Sequence, residues 1–179
     1  MPALIDFNHY KIAEMQARLE EIIIRRIDRK DNAALARLIR STLKEFGANH
    51  PGTVYYDEST DHLFEVFQTP RSIYYVAKLN NEIVGGGGIF PTEGLPPDTC
   101  ELVKMYTYPH VRGIGLGSTL IKKCLDYAKE AGYKKIYLES MPELKQALKT
   151  YEKFGFEYLN HAMGNSGHFG CDLWMIKRL

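Results

Sequence analysis

Between Tyr108 and Ser118 the chain reads Tyr-Pro-His-Val-Arg-Gly-Ile-Gly-Leu-Gly-Ser, with three glycines at alternate positions directly after Arg112. A strand pattern, Glu101 to Thr107, leads into it. An amphipathic helix pattern, Ser118 to Ala131, leads out, with Leu120, Ile121, Cys124, Leu125 and Ala128 on one stripe and Gly132 closing it. Glycine permits a tight turn and close approach of backbone to a ligand. The start of a helix carries unpaired N–H groups and a partial positive charge, which together hold phosphate. Arg112 adds a planar cationic fork. The segment predicts a diphosphate cradle at a strand-to-helix junction.

The flanking patterns alternate between strand and helix. Residues Asn8 to Glu20 carry Ile12, Met15 and Leu19 at helical spacing and predict an N-terminal helix. Ile22-Ile23-Ile24 reads as the first strand. Asp31 then reads as an N-cap for a helix with Ala34, Leu35, Leu38, Ile39 and Leu43 on one stripe, ending near Gly47. A short helix follows from Asp61 to Phe67. Two strands, Ser72 to Ala77 and Ile83 to Phe90, are joined by the hairpin signal Leu79-Asn80-Asn81-Glu82. Gly85 to Gly88 inside the second of them predicts a bulge or the close approach of another group. Beyond the glycine loop come a strand, Lys135 to Leu138, a helix, Met141 to Lys153, and a last strand, Cys171 to Lys177.

The 179 residues fit one domain with a substantial core. Twenty-three Lys and Arg against 22 acids leave a net charge of +1, which gives no reason to expect nucleic acid or an anionic membrane surface as partner. Three widely spaced cysteines predict reduced thiols. With no export signal and no apolar run near the roughly 20 residues of a membrane span, the chain is expected to be cytoplasmic.

Two motifs in this order carry a resemblance. Arg112-Gly-Ile-Gly-Leu-Gly117 resembles the Arg/Gln-x-x-Gly-x-Gly/Ala signature of the GNAT superfamily of acyl-CoA-dependent N-acetyltransferases. Ala147-Leu-Lys-Thr-Tyr151-Glu-Lys-Phe-Gly155-Phe156 resembles its later Ala-x-x-x-Tyr-Glu-Lys-x-Gly-Phe motif. The resemblance implies an α+β fold: a central mixed, twisted sheet with helices on both faces, splayed open where acetyl-CoA lies. It divides the chain into an N-terminal extension, 1–20, and the acetyltransferase domain, 21–179.

By the same resemblance, backbone groups of Met105, Tyr106 and Thr107 would bond the pantetheine arm. Amides of Gly113, Ile114, Gly115, Leu116, Gly117 and Ser118 would bind the pyrophosphate, with Arg112 positioning the loop. Lys153 either approaches a CoA phosphate or complements its helix dipole. Ser140 either touches the cofactor or caps the following helix. Tyr151 is the family's usual general acid, a phenol protonated at neutral pH. Many relatives have Asn seven residues earlier, where this chain has Leu144, so a hydrogen bond common in the family is missing or replaced. Glu101 aligns with the strand glutamate that some members use as general base, often through water. Its alternative is a carboxylate paired with Lys104 or another base. Strand alternation puts Glu101, Val103 and Met105 on one face and Leu102, Lys104 and Tyr106 on the other, unless a bulge breaks the parity.

The acceptor is expected between Phe46 to Asp57 and His161 to Cys171. Phe46, Tyr55 and Tyr56 with Asp57 would suit a small amine or amino acid, or else pack a loop against the sheet. His168 is the candidate proton acceptor of the second, glycine-rich segment. The spacing of His161, His168 and Cys171 matches no standard zinc pattern, and no metal is expected. The resulting reading is transfer of acetyl from acetyl-CoA to a small-molecule or protein amine, with a homodimer by family analogy. A non-catalytic acyl-CoA-binding module with the same fold is the alternative. A dinucleotide enzyme with Glu139 on the ribose fits less well, because Gly-x-Gly-x-Gly here follows Pro109-His-Val-Arg112 rather than a strand.

Overall fold

The computed structural model describes residues 7–179. The part of the N-terminal extension over residues 1–6 lies outside the described residues. The elements are α1 (Phe7–Glu20), β1 (Ile23–Arg26), α2 (Asn32–Glu45), α3 (Leu63–Val66), β2 (Ile73–Leu79), β3 (Glu82–Phe90), β4 (Thr99–Thr107), α4 (Leu116–Glu130), β5 (Lys135–Ser140), α5 (Lys145–Lys153), β6 (Glu157–Leu159) and β7 (Leu173–Arg178). The strands form one seven-stranded sheet in the order β1-β2-β3-β4-β5-β7-β6. All neighbours are antiparallel except β4 and β5.

Apolar side chains leave the sheet on both faces, so helices cover both. One core joins Ile121, Cys124, Leu125 and Ala128 of α4 and Leu148 and Tyr151 of α5 to Cys100, Leu102, Ile136 and Leu138 of the sheet. The other joins Leu35, Leu38, Ile39 and Leu43 of α2 and Leu63 of α3 to Tyr74 and Val76. Met15 and Leu19 of α1 pack against a third group, Val111, Ile114, Leu116 and Leu120, at the root of α4. Among the described residues no helix is long and apolar enough to cross a membrane.

Several boundaries differ from the sequence reading. Asp31 does not cap α2 with its side chain. It is buried, takes a bidentate Arg25 at 2.6 and 2.8 Å, and accepts the amide of Asp28. Burial, the largest single effect, would push its pKa up, but the Arg25 hydrogen bonds, the Asp28 amide and the nearby positive charges together outweigh it and the carboxyl sits below its ordinary value. The helix carrying Tyr151 starts at Lys145 rather than Met141, because Met141 to Leu144 form a turn closed by Leu144 N–H on Met141 O at 3.1 Å. The three-residue β6 is too short to show any alternation. Asn80 and Asn81, both at positive φ (49° and 68°), make the expected hairpin turn.

Two irregularities in β4 shape the site. Gly86 pairs with Tyr106 and Gly88 with Val103, so Gly87 alone opposes both Lys104 and Met105. This is a β-bulge, and it seats Lys104 at φ 51°. A Cβ on Gly87 would meet the Met105 sulfur at 2.6 Å, so the Met105 side chain would have to move. The fully buried Tyr74 hydroxyl donates to the bulge carbonyl of Lys104 at 2.8 Å. The bulge overturns the simple alternation: Leu102 and Met105 both belong to the α4 side, Val103 and Tyr106 to the α2 side. Secondly, β4 pairs with β5 only over Thr99–Glu101 against Lys135–Tyr137. From Leu102 onward the two parallel strands part.

Candidate active site

The gap between β4 and β5 is a cleft of about 380 Å³. Met105, Tyr106 and Thr107 line it from β4, Gly113, Gly115, Leu116, Gly117 and Ser118 from the loop and the first turn of α4, and Ser140, Leu144, Tyr151 and Lys153 from the far wall. Gly113 and Gly115 have φ of 78° and 94°, a backbone only glycine adopts without strain. A Cβ on Gly113 or Gly117 would meet no atom within 4 Å, so the loop's outer surface is open. The structure starts α4 at Leu116, two residues before the sequence pattern, which places Gly117 and Ser118 in its first turn. Ile114 points the other way, buried in the core beneath the loop.

Arg112 is placed as the resemblance implies, to position the loop, and its fork is already engaged. Its guanidinium is bidentate to Glu45 of α2 at 2.6 and 2.8 Å and donates twice to the Thr107 carbonyl, at 3.1 and 2.9 Å. It also lies 5.1 Å from the centroid of the Phe46 ring. The fork therefore ties the glycine loop to α2 and to the end of β4 rather than standing free for a phosphate. Both lone pairs of the Thr107 carbonyl are filled by this contact, so that carbonyl is removed as a partner for a bound chain. Ser140 lines the cleft and is no cap, since Leu144 precedes α5.

Tyr151 is buried, packs edge-on against Phe156 at 5.8 Å and borders the cleft. Burial pushes its phenol above the ordinary value and keeps it protonated. Glu101 is 4% exposed. Its carboxylate accepts the Thr92 hydroxyl and does not pair with Lys104. Burial, reinforced by nearby Glu139, pushes its pKa up to about 7 against the Thr92 hydrogen bond. Carboxylate and imidazole atoms of Glu101, Glu139 and His168 all lie within 4.8 Å of one another.

His168 is where the loop after β6 meets this cluster. Its Nε2 lies 2.8 Å from Asp57 Oδ2 and its Nδ1 4.0 Å from Glu139 Oε2. Burial alone would lower its pKa, but the Asp57 hydrogen bond and charge prevail and raise it. Asp57 Oδ2 also accepts Lys104 Nζ at 3.2 Å. Burial works against ionised Asp57, and His168 and Lys104 together overcome it and lower its pKa. Lys104 is itself lowered by burial, against the pull of Asp57.

Of the acceptor residues read from sequence, Phe46 lines the cleft and His168 joins its acidic end. Tyr55 and Tyr56 do neither. They sit in a single 3-10 turn, stacked edge to face at 5.1 Å, with Tyr56 63% exposed. Tyr55 packs against the α2-side core, while Tyr56 stands exposed on the surface. Sequence reasoning did not assign Thr42, Lys104, Glu139 or Thr92 to the site. Only Glu139 left a signal, an acid at the end of an apolar strand.

Residues 35–156 match the model of the acetyltransferase (GNAT) family. An uncharacterised N-acetyltransferase of Escherichia coli K12, YjgM, is 40% identical over 158 residues, covering 88% of this chain and 95% of the relative. Among solved structures, an acetyltransferase of Streptococcus agalactiae superposes with a TM-score of 0.77 at 19% identity, over 89% of this chain and 99% of that one. PaiA N-acetyltransferase of Thermoplasma acidophilum, solved in complex with coenzyme A, superposes with a TM-score of 0.69 at 19% identity, over 88% and 99%. The chain belongs to the GNAT acetyltransferase family, and its mixed, splayed sheet between helical layers is that family's fold.

Proposed function

We propose that the protein moves an acetyl group from acetyl-CoA to the amine of a small molecule, amino acid or protein by direct attack. The observation that carries the reading is one continuous cleft joining the glycine loop, the unpaired edge of β4 and Glu139, beside Glu101. The loop amides and the N-terminus of α4 suit a diphosphate. The open β4 edge suits an extended pantetheine arm, which would add to it like a strand. The PaiA complex supports coenzyme A as the occupant.

In the proposed step the amine nitrogen attacks the thioester carbonyl. A C–N bond forms, backbone N–H groups of β4 hold the oxyanion, and the C–S bond then breaks. Glu101 takes the proton the amine must lose. A base of pKa about 7 is near half ionised at neutral pH, the condition under which general-base catalysis is effective. Tyr151 gives its proton to the departing thiolate. No cysteine lies open to the cleft: all three are buried, so an acyl-enzyme has no nucleophile among them.

The test has two parts. Acetyl-CoA and CoA should raise the melting temperature where NAD does not, and an amine panel should release CoA thiol with intersecting initial-rate lines. Tyr151→Phe, which keeps the ring against Phe156, should lose about a hundredfold in kcat. Binding without thiol release on any amine would leave a non-catalytic acyl-CoA-binding protein. No shift with either CoA species would remove the reading.

A further inference from the structure

Two groups at the acceptor end have no part in the chemistry above. The first is Lys104. The bulge turns it into the cleft wall, its side chain is 9% exposed, and among the described residues its ammonium donates to Asp57 alone. That carboxylate oxygen is shared with His168, so one anion is divided between two partners. An ammonium carries three donors, and two of these remain. The second is Thr42 of α2, which lines the same cleft. Its Oγ1 is the one buried side-chain polar atom among the described residues without a hydrogen-bond partner. Such an atom costs stability unless a ligand satisfies it. Next to this cationic and hydroxyl wall stand the carboxylates of Glu101 and Glu139.

Beside these groups the loop after β6 is fastened in place. Met163 N–H donates to the Tyr137 hydroxyl at 3.0 Å, Asn165 N–H to Glu93 O at 2.7 Å and Gly170 N–H to Gly52 O at 2.9 Å. Ser166 donates to Glu139 at 2.7 Å. With His168 on Asp57, the loop is fastened to strand β5 and to three loops or turns. A loop pinned in this way beside the acceptor end favours a compact acceptor over a polypeptide.

We propose that the acceptor is a free amino acid, its amine directed to Glu101 and its carboxylate received by Lys104 and Thr42. This rests on the acetyl-transfer reading and narrows it. The amine nitrogen gains the acetyl carbon and gives up a proton to Glu101. CoA leaves as the thiol with the proton of Tyr151, and the acceptor carboxylate passes through unchanged into an N-acetylamino acid.

The experiment compares matched acceptors on the wild-type protein with acetyl-CoA. Each of the common L-amino acids is set against the primary amine lacking its carboxylate (phenylalanine against phenethylamine, tyrosine against tyramine, lysine against cadaverine), together with a peptide bearing a free N-terminus. At least one amino acid should exceed its amine by about tenfold to a hundredfold in kcat/KM. That ratio should collapse in Lys104→Met and shrink by roughly threefold to tenfold in the near-isosteric Thr42→Val. Equal or faster turnover of the amines, or of the peptide, overturns the amino-acid proposal and leaves acetyl transfer standing. Failure of every amino acid also overturns it. Acetyl transfer itself falls only if no amine or peptide of any kind releases CoA thiol, or if acetyl-CoA gives no thermal shift. Should Lys104→Met not fold, the wild-type pairs still decide.

Discussion

At the α4 end of the cleft the wall is backbone: glycines at positive φ, free amides and open space where side chains would stand. At the β5 end the wall is ionisable side chains, drawn from residues 57, 101, 104, 139 and 168 and packed beside a fastened loop. The first end can hold an anionic ligand with little dependence on pH, because an amide does not titrate. The second has each charge set by its neighbours, and its chemistry must follow pH. A ligand common to a whole family suits the first construction. A ligand particular to one protein needs the second.

The largest effect that would sharpen this contrast lies in the acidic end. Glu101→Gln should lower kcat/KM by about a hundredfold to ten-thousandfold at neutral pH and abolish a rising limb near pH 7. A retained limb would move the base elsewhere. The same variant has a stability signature. Glu101 is raised from 4.5 to about 7 in the folded protein, so its contribution is fully present below pH 4.5 and lost as pH rises through 7. Wild type should therefore lose stability relative to the glutamine variant between pH 5 and 8, on the order of 3 kcal/mol. Urea unfolding of both proteins at the two pH values measures it.

Gly117→Glu tests the other end without straining it. The side chain meets open space, and an acid in the first turn of α4 favours the helix dipole. The fold should hold, while the roughly 2.7 kcal/mol of stabilisation expected from acetyl-CoA at a hundred times Kd should vanish. An undiminished shift would break the assignment of that end to a diphosphate.

Asp57→Asn comes next. It removes the anion that holds both His168 and Lys104, so amide exchange in residues 163–170 should quicken and kcat/KM fall roughly tenfold. In wild type, His168 with its raised pKa stabilises the loop at low pH and releases it as pH rises through that value. Asp57, with its lowered pKa, loses its share only in strong acid. Loop opening measured by exchange should accordingly increase on the alkaline side, and the asparagine variant should lose most of this dependence. The smallest effect belongs to Tyr56→Ala, outside both ends. It should change stability by about 0.5 kcal/mol or less and leave kcat/KM within about twofold. A larger loss of activity would return Tyr56 to the acceptor site.

Legibility in the sequence followed locality. The glycine loop and α4 are contiguous and were legible together, and the resemblance carried by two motifs implied that Tyr151 shares their cleft. The hairpin at Asn80 and Asn81 was equally plain, since two adjacent residues dictate it. Arg112 was legible as a residue of the loop but not in its partners, because Glu45 is 67 positions away. Lys104 was put on the wrong face because alternation assumes an unbroken strand, and only the partner strand reveals that Gly87 opposes two residues. Tyr55 and Tyr56 carried the composition of a binding pocket and the geometry of a surface turn.

The sequence by itself determined the order of strands and helices, the glycine cradle and the family to which they belong. The elements and the cradle follow from periodicity or from backbone freedom within a dozen residues, and the family from the resemblance of two motifs. Tertiary structure alone decided how wide β4 and β5 part, where Lys104 points, and that Asp57, Glu101, Glu139 and His168 share one small space. Those outcomes depend on strand register and on burial, and burial is what turns an ordinary glutamate into a base of pKa about 7. No stretch of sequence contains a desolvation energy, because it arises only when distant segments exclude the water between them.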